Sequence, residues 1–305
     1  VVSEILLECK DLVKTFSSGL FRRQKVEALR GVNLKVRRGD VYGFLGENGA
    51  GKTTTVRCLI GLTPISGGGI VVFGAENPRP ENLFRHVSYC PEETNIFTGL
   101  TARELLEIYG KLYGIEKAKL GDRIDEVLEA VNLSEASDRR ISGYSKGMRQ
   151  RVGLAQAILP DPELIILDEP ARGLDPVGRR QFRDIINNYA ARGATFFINS
   201  HTLSEVERTC NRIGIIKKGR VIRELAPDDL AETKGFEVLY RAAQPLPGSE
   251  SRDRLQAIQA SDTKDLSVIC ARIAEIGGSV DSVTRRRVSL EDYFIKVVGD
   301  EEVIS

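Results

Sequence analysis

The chain has 305 residues, 41% hydrophobic and 29% charged, a composition that supports packed cores and excludes a disordered polypeptide. Its 44 Lys+Arg against 43 Asp+Glu leave a formal charge of +1, which gives no basis for whole-surface attraction to nucleic acid or anionic lipid, although a local patch stays open. At about 150 residues per domain, this length implies roughly two domains.

No apolar run approaches the roughly 18 residues of a membrane span; the runs at 164–167 and 213–216 are far shorter. Val1-Val2-Ser3-Glu4 shows no basic region leading into an apolar stretch, so no signal peptide is expected. The five cysteines (Cys9, Cys58, Cys90, Cys210, Cys270) are odd in number and widely spaced, with no CxxC pair. They read as reduced, mostly buried thiols, which excludes a disulfide scaffold and a cysteine-rich zinc site. With 2 histidines in all, a histidine-rich metal centre is excluded too.

Along the chain, Val41–Leu45 reads as a strand that stops at glycine and is followed by a helix over 51–60. Strand, Gly-rich turn and helix in that order belong to an α/β fold with a parallel sheet. A short strand is predicted at 70–73. Thr101-Ala-Arg-Glu104 is a capping box leading into Leu105, Ile108, Tyr109 and Leu112 at helical spacing. A second helix over 122–131 places Ile124, Val127, Leu128 and Val131 on one face. Residues from about 95 to 160 therefore read as a helical insertion. The α/β pattern resumes with a strand at 164–167, a helix at 182–191, a strand at 195–199 and a helix at 203–209. A hairpin follows over 213–222. Composition turns linker-like at 244–250. Phe236, Val238 and Tyr240 alternate as in a strand, 266–276 is an amphipathic helix, and Ser289 caps a last helix through Phe294 and Val297.

Gly46-Glu47-Asn48-Gly49-Ala50-Gly51-Lys52-Thr53 satisfies G-x-x-x-x-G-K-[ST], directly after a strand and opening a helix. The glycines let the backbone curl so that N–H groups point at phosphate oxygens, and the helix adds its N-terminal partial charge. Thr54 extends the helix start. In this reading Lys52 reaches the β/γ-phosphates and the Thr53 hydroxyl ligates Mg2+. The chain is expected to bind a nucleoside triphosphate.

The run 164–167 ends in Asp168-Glu169-Pro170. An all-aliphatic run fits a central parallel strand covered on both faces, and ligands collect at the carboxyl ends of such strands. Paired with the phosphate loop, Asp168 reads as a Mg2+ holder and Glu169 as the group that orients and deprotonates an attacking water.

Between these sites lies Tyr144-Ser145-Lys146-Gly147-Met148, opening a helix that ends before Pro160. Together with the phosphate loop, Tyr89-Cys-Pro-Glu92, the Asp168-Glu169 pair, Gly173-Leu-Asp175-Pro176 and Asn199-Ser-His201, this ordered set resembles the ATP-binding cassette (ABC) ATPases over residues 4 to about 225. The resemblance implies the P-loop NTPase ABC-ATPase fold, α/β with a helical subdomain at about 95–160. It implies a nucleotide-binding domain at 1–230, followed by a small α+β accessory domain at 231–305.

The resemblance also implies roles. Two cassettes sandwich two ATP molecules head to tail, with Ser145, Lys146, Gly147 and Met148 facing the nucleotide on the other chain. Asp175 lies in the loop that spans the dimer interface, and His201 is the switch histidine that bonds the γ-phosphate or the attacking water. Phe16 stands where the family sets an aromatic ring against adenine, and equally reads as a core residue at a strand end; 17–25 looks like a small insertion beside it. Three departures stand out. Glu92 replaces the usual glutamine, and a carboxylate ligates Mg2+ but does not donate a hydrogen bond as an amide does. Tyr144, Lys146 and Met148 differ from the usual signature, and Arg172 occupies a position usually held by a small residue.

Two functions compete. One is the ATP-hydrolysing subunit of an export transporter, driving separate integral membrane permease subunits, with a second ABC subunit, identical or different, as partner. The other is a soluble ABC ATPase acting on DNA or the ribosome. The stretch between Thr53 and Ser145 is far too short for the coiled-coil arms of DNA-associated relatives and has no sustained heptads. One cassette, not two, argues against the translation-factor relatives. The transporter reading is favoured, with ATP and Mg2+ as cofactors, no nucleic-acid partner, and a peripheral position on the cytoplasmic face of the inner membrane. The segment 288–299 resembles the end of accessory domains on export-type cassettes, and equally reads as a helix packing for stability. Arg285-Arg286-Arg287 reads as a solvated edge.

Overall fold

The computed structural model describes residues 4–18, 24–83, 86–92, 96–231, 233–252, 254–287 and 289–300. The chain divides into two compact units, Val1–Leu225 and Ala226–Ser305.

The first unit opens with a long antiparallel hairpin, β1 (Ile5–Ser18) and β2 (Gln24–Arg37), whose pairs run from Ile5↔Arg37 to Ser18↔Gln24. The strands thus continue into the stretch read as an insertion, of which residues 19–23 lie outside the described residues. Next come β3 (Val41–Leu45), α1 (Lys52–Leu59), β4 (Gly67–Val72), β5 (Ala75–Glu76), α2 (Pro80–Leu83) and β6 (Val87–Cys90). The helical insertion holds α3 (Ala102–Leu112), α4 (Lys117–Ala130) and α5 (Lys146–Ile158). β7 (Leu164–Asp168), α6 (Pro176–Ala191), β8 (Thr195–Ser200), α7 (Leu203–Thr209), β9 (Arg212–Lys217) and β10 (Arg220–Leu225) complete it.

Two sheets result. One is antiparallel, in the order β2-β1-β4-β5. The other has the order β10-β9-β3-β8-β7-β6, parallel from β9 to β6 with antiparallel β10 at its edge. Every residue of β3, β7 and β8 is buried, as their aliphatic and aromatic runs require of strands covered on both faces. α1 lies between the sheets: Val56, Cys58 and Leu59 share one core with Leu7 and Leu34 of the hairpin and with Ile166 and Phe197 of the parallel sheet. The Phe197 ring stacks on Tyr42 at 5.6 Å between centroids and tilts against Phe44 at 5.4 Å.

β4 is displaced from the predicted 70–73. It begins at Gly67, because three consecutive glycines with low β propensity are recruited by pairing to Lys10 and Val13 of β1, and Phe73 turns out of it at φ +49°. In the insertion, Thr101 Oγ1 accepts from Glu104 N (3.1 Å) while Glu104 Oε2 accepts from Thr101 N (2.9 Å), closing the capping box. The buried face of α3 is Ala102, Leu105, Leu106 and Gly110, whereas Ile108 (44% exposed) and Leu112 (76% exposed) turn outward. Leu120 of α4 packs directly onto Gly110, where a Cβ would strike it, and this close approach draws the Gly110 side of α3 inward. On α4, Ile124, Val127 and Leu128 are buried as their spacing predicts, and Val131 is buried at its C-cap.

The second unit is a four-stranded antiparallel sheet in the order β12-β13-β11-β14, made of β11 (Thr233–Arg241), β12 (Glu250–Arg252), β13 (Leu255–Ala260) and β14 (Ser279–Arg287). α8 (Thr263–Glu275) covers it, so that Ile269 and Ile273 meet Val238, Tyr240 and Ala260 in a core of its own. α9 (Leu290–Asp300) follows, with Ser289 Oγ accepting from Asp292 N at 3.1 Å. The linker-like 244–250 is the β11–β12 connection inside this unit. Its Leu246 N donates to Tyr240 Oη (2.7 Å), and Ser249 Oγ lies 2.6 Å from the same oxygen.

Candidate nucleotide site

The register of the parallel sheet brings four strand ends level. Leu45 pairs with Ser200, Asp168 with Asn199, and Cys90 with Leu167. Because β8 lies between β3 and β7, the loop carrying His201 sits between the phosphate loop and the two acids. A parallel sheet gathers ligand-binding groups at these carboxyl ends.

The phosphate loop joins β3 to α1. Gly51 is the N-cap of α1 at φ +110°, a conformation open to glycine, and no side chain caps the helix. The first-turn N–H groups are therefore free of side-chain caps, and the helix dipole points at the cavity. The buried Lys52 Nζ donates to Gly46 O (2.7 Å) and Glu47 O (3.2 Å). Burial pushes its pKa down, against the pull of the Glu169 and Asp168 charges. Ala50 is buried and its carbonyl accepts from Gly219 N at 2.9 Å, which ties the loop to the β9–β10 turn. Thr55 Oγ1 donates to Gly51 O (2.9 Å) and closes the base of the loop.

Asp168 ends β7 with 2% of its surface exposed. It accepts from Asn199 Nδ2 and, at 3.4 Å, from Tyr89 Oη. Burial pushes its carboxyl pKa up, ahead of the opposing pull of the Asn199 hydrogen bond. Glu169 stands at φ +49°, a left-handed conformation that costs a glutamate on the order of 1 kcal/mol, and its N donates to Asn199 O at 2.8 Å. That backbone twist aims its Oε2 at His201, whose Nδ1 lies 2.7 Å away and whose backbone N donates to it at 3.4 Å. Opposite a carboxylate, Nδ1 carries the ring proton.

A cavity of about 360 Å3 is lined by Asn48, Gly49, Gly51, Lys52, Thr53, Thr54, Glu92, Glu169 and His201, together with Ala28 and Arg172. Gly46 and Glu47 take part through the carbonyls that hold Lys52. Glu92 forms an ion pair with Arg172. Six predicted positions, Ser145 to Met148, Asp175 and Phe16, stand apart from the cavity lining within one chain. Ser145, with Lys146, Gly147 and Met148, opens α5, where Ser145 Oγ accepts from Met148 N at 3.2 Å. A Cβ on Gly147 would meet Leu174 Cδ2 at 3.5 Å and Ser145 Oγ at 4.0 Å, both ordinary contacts, so nothing among the described residues demands glycine there. Asp175 is the N-cap of α6 and accepts from Gly178 N at 2.8 Å. Phe16 is 43% exposed on β1, with Lys14 Nζ 4.9 Å from its ring centroid, and is not a core residue. Residue-by-residue reading of the motifs missed Asn199 and Tyr89 as the partners of Asp168 and Arg172 as the partner of Glu92. Their signal was a place inside or next to a motif. Among the described residues no cluster of three or more His, Cys, Asp or Glu could hold a metal by itself, and no helix is long and apolar enough to cross a membrane.

The family profile described as ABC transporter matches residues 29–172. The bacitracin transport ATP-binding protein BcrA of Bacillus licheniformis is 36% identical over 314 residues, covering 96% of this chain and 97% of the relative. The daunorubicin resistance ATP-binding protein DrrA3 of Streptomyces coeruleorubidus is 34% identical over 291 residues, covering 90% of this chain and 92% of its own. A solved ATP-binding subunit of an ABC transporter superposes with a TM-score of 0.63 at 33% identity, over 74% of this chain and 91% of that one. The strand-end geometry and these likenesses agree, and the chain belongs to the ATP-hydrolysing, ATP-binding subunits of ABC transporters.

Proposed function

We propose that this subunit binds MgATP in the 360 Å3 cavity, pairs with a second cassette on ATP, and drives an integral membrane partner that exports its cargo. The observation that carries the catalytic part is the 2.7 Å contact of His201 with Glu169, on the strand end next to the buried Lys52.

Lys52 exchanges its bonds to the Gly46 and Glu47 carbonyls for the β/γ-phosphate oxygens, which the loop and helix N-terminus also receive. Glu169 orients a water and takes its proton as the water oxygen bonds to the γ-phosphorus and the bond to the ADP oxygen breaks. While Nδ1 of His201 donates to Glu169, that carboxylate is occupied. Transfer of the histidine to the γ-phosphate or the attacking water frees it to act as base. The donor set fits magnesium, which takes one or two protein carboxylates plus substrate phosphates and needs no dense cage. Asp168 is a buried carboxylate whose hydrogen-bond partners are the neutral Asn199 and Tyr89. Thr53, Asp168 and Glu92 are the residues that would hold the ion, and the chemistry it supplies is neutralisation of charge on the phosphate oxygens.

Ser145 to Met148 and Asp175 serve the opposite nucleotide and the dimer seam, and the room beside Gly147 supports that reading, since close approach there must come from elsewhere. Phe16 offers the ring face that Lys14 does not occupy to adenine. Residues 1–230 act as the cassette and 231–305 as an accessory domain, supported by the separate core around Tyr240. Export is supported by the printed roles of the bacitracin and daunorubicin relatives. A membrane partner, with this subunit peripheral on the cytoplasmic face, is supported by the relatives' being ATP-binding subunits of transport systems. In the test, Glu169→Gln retains ATP binding, loses phosphate release by at least about a hundredfold and accumulates an ATP-bound dimer. Wild-type turnover in that variant would overturn the assignment of the base.

A further inference from the structure

Glu92 and Arg172 stand on different loops. Glu92 follows β6 through Pro91, and Arg172 lies in the turn after β7, its backbone N donating to Glu169 O at 3.1 Å. β6 and β7 are adjacent parallel strands, so the Glu92–Arg172 ion pair bridges neighbouring loops at the edge of the nucleotide cavity, which both side chains line. The ionisable side chains lining this space are Lys52, Arg172 and His201 against Glu92 and Glu169, and the buried Asp168 does not line it. A carboxylate at 92, left alone, would add a negative charge to a cleft that must receive a polyanion. Arg172 offsets that charge, and its turn is the one that carries Glu169.

We propose that Arg172 is a positioning residue that neutralises Glu92 and holds its carboxylate at the cavity edge, so that a glutamate is compatible with nucleotide binding at this position. The inference rests on the nucleotide site described above. Both residues are partly exposed, so the pair acts through the local field rather than through folding energy. Its consequence differs between ligand forms. Metal-free ATP carries more negative charge than MgATP, and it feels an unpaired Glu92 more strongly.

The test uses the full chain and a fluorescent ATP analogue, titrated with excess EDTA and with Mg2+. Arg172→Ala is expected to weaken binding of the metal-free analogue about tenfold and the magnesium form about threefold, one unit charge at a partly exposed site being of this order. Glu92→Gln alone is expected to tighten metal-free binding, since Arg172 is then unpaired. The double variant Glu92→Gln/Arg172→Ala is expected to return to within about twofold of wild type for the metal-free analogue, where Glu92 has no ion to hold. A double variant as weak as Arg172→Ala would overturn the proposal, because it would mean that Arg172 meets the phosphates directly or merely supports the loop. An Arg172→Ala variant that binds like wild type, or that loses both forms equally, would also overturn it. Wild type that binds no ATP would overturn the nucleotide site and the pair with it, whereas wild-type binding with uncoupled variants overturns the pair alone.

Discussion

His201 Nδ1 lies 2.7 Å from Glu169 Oε2, so the two residues assigned to the chemistry are bonded to each other across adjacent parallel strand ends. The contact depends on the left-handed backbone at Glu169, at φ +49°, which turns its carboxylate away from the strand direction and towards the loop after β8. Each partner constrains the other's position.

His201→Ala should therefore leave ATP affinity within about threefold while lowering turnover by about a hundredfold or more, the usual scale for losing a positioned proton-handling group. Steady-state phosphate release beside equilibrium nucleotide binding checks this. Equal losses in both would point to a binding role instead.

Lys52→Ala should weaken ATP binding by more than about tenfold, because a charge-assisted phosphate contact disappears. It also releases the Gly46 and Glu47 carbonyls from their shared donor. Titration of a fluorescent nucleotide reads the affinity, and unchanged binding would count against the loop as the phosphate site.

Asp168 is held at a cost. Burial raises its carboxyl pKa, so the folded state keeps the proton more readily than the unfolded chain, and stability falls as pH climbs from the ordinary carboxylate range through the raised value. Asp168→Asn removes that penalty and still accepts from Asn199. At neutral pH it should melt at a higher temperature than wild type and lose turnover. The advantage should fade as pH drops through the carboxylate range. A melting difference that does not change with pH would contradict the sign.

Ser145 caps α5 through Met148 N at 3.2 Å, so its removal has a structural effect to be separated from any role at a second nucleotide. Ser145→Ala should cost about 1 kcal/mol in chemical unfolding, and Ser145→Asn should recover most of it. Neither should support ATP-dependent dimerisation in the Glu169→Gln background, as read by size-exclusion chromatography. Dimerisation by the asparagine variant at the level of its Glu169→Gln parent would assign Ser145 a capping role only.

Much of the fold was legible. The runs of β3, β7 and β8 have to be covered on both faces, and Thr101 with Glu104 marks the start of α3 from local hydrogen bonding alone. The weaker signals failed where long-range pairing overrode propensity. β4 starts on three glycines because β1 supplies partners, and Ile108 and Leu112 face out because Leu120 needs the bare backbone at Gly110.

The amino-acid sequence by itself determined the phosphate loop, the Asp168-Glu169 pair and the order of the motifs, because each of these is a short run whose chemistry is local. The tertiary structure alone decided which side chains meet. Strand order inserts β8 between β3 and β7 and so delivers His201 to Glu169 and Asn199 to Asp168. It also sets Arg172 against Glu92, residues eighty positions apart whose charges would otherwise read as two unrelated departures. A side chain's partner depends on the register of strands distant in sequence, and spacing along one chain does not encode that register.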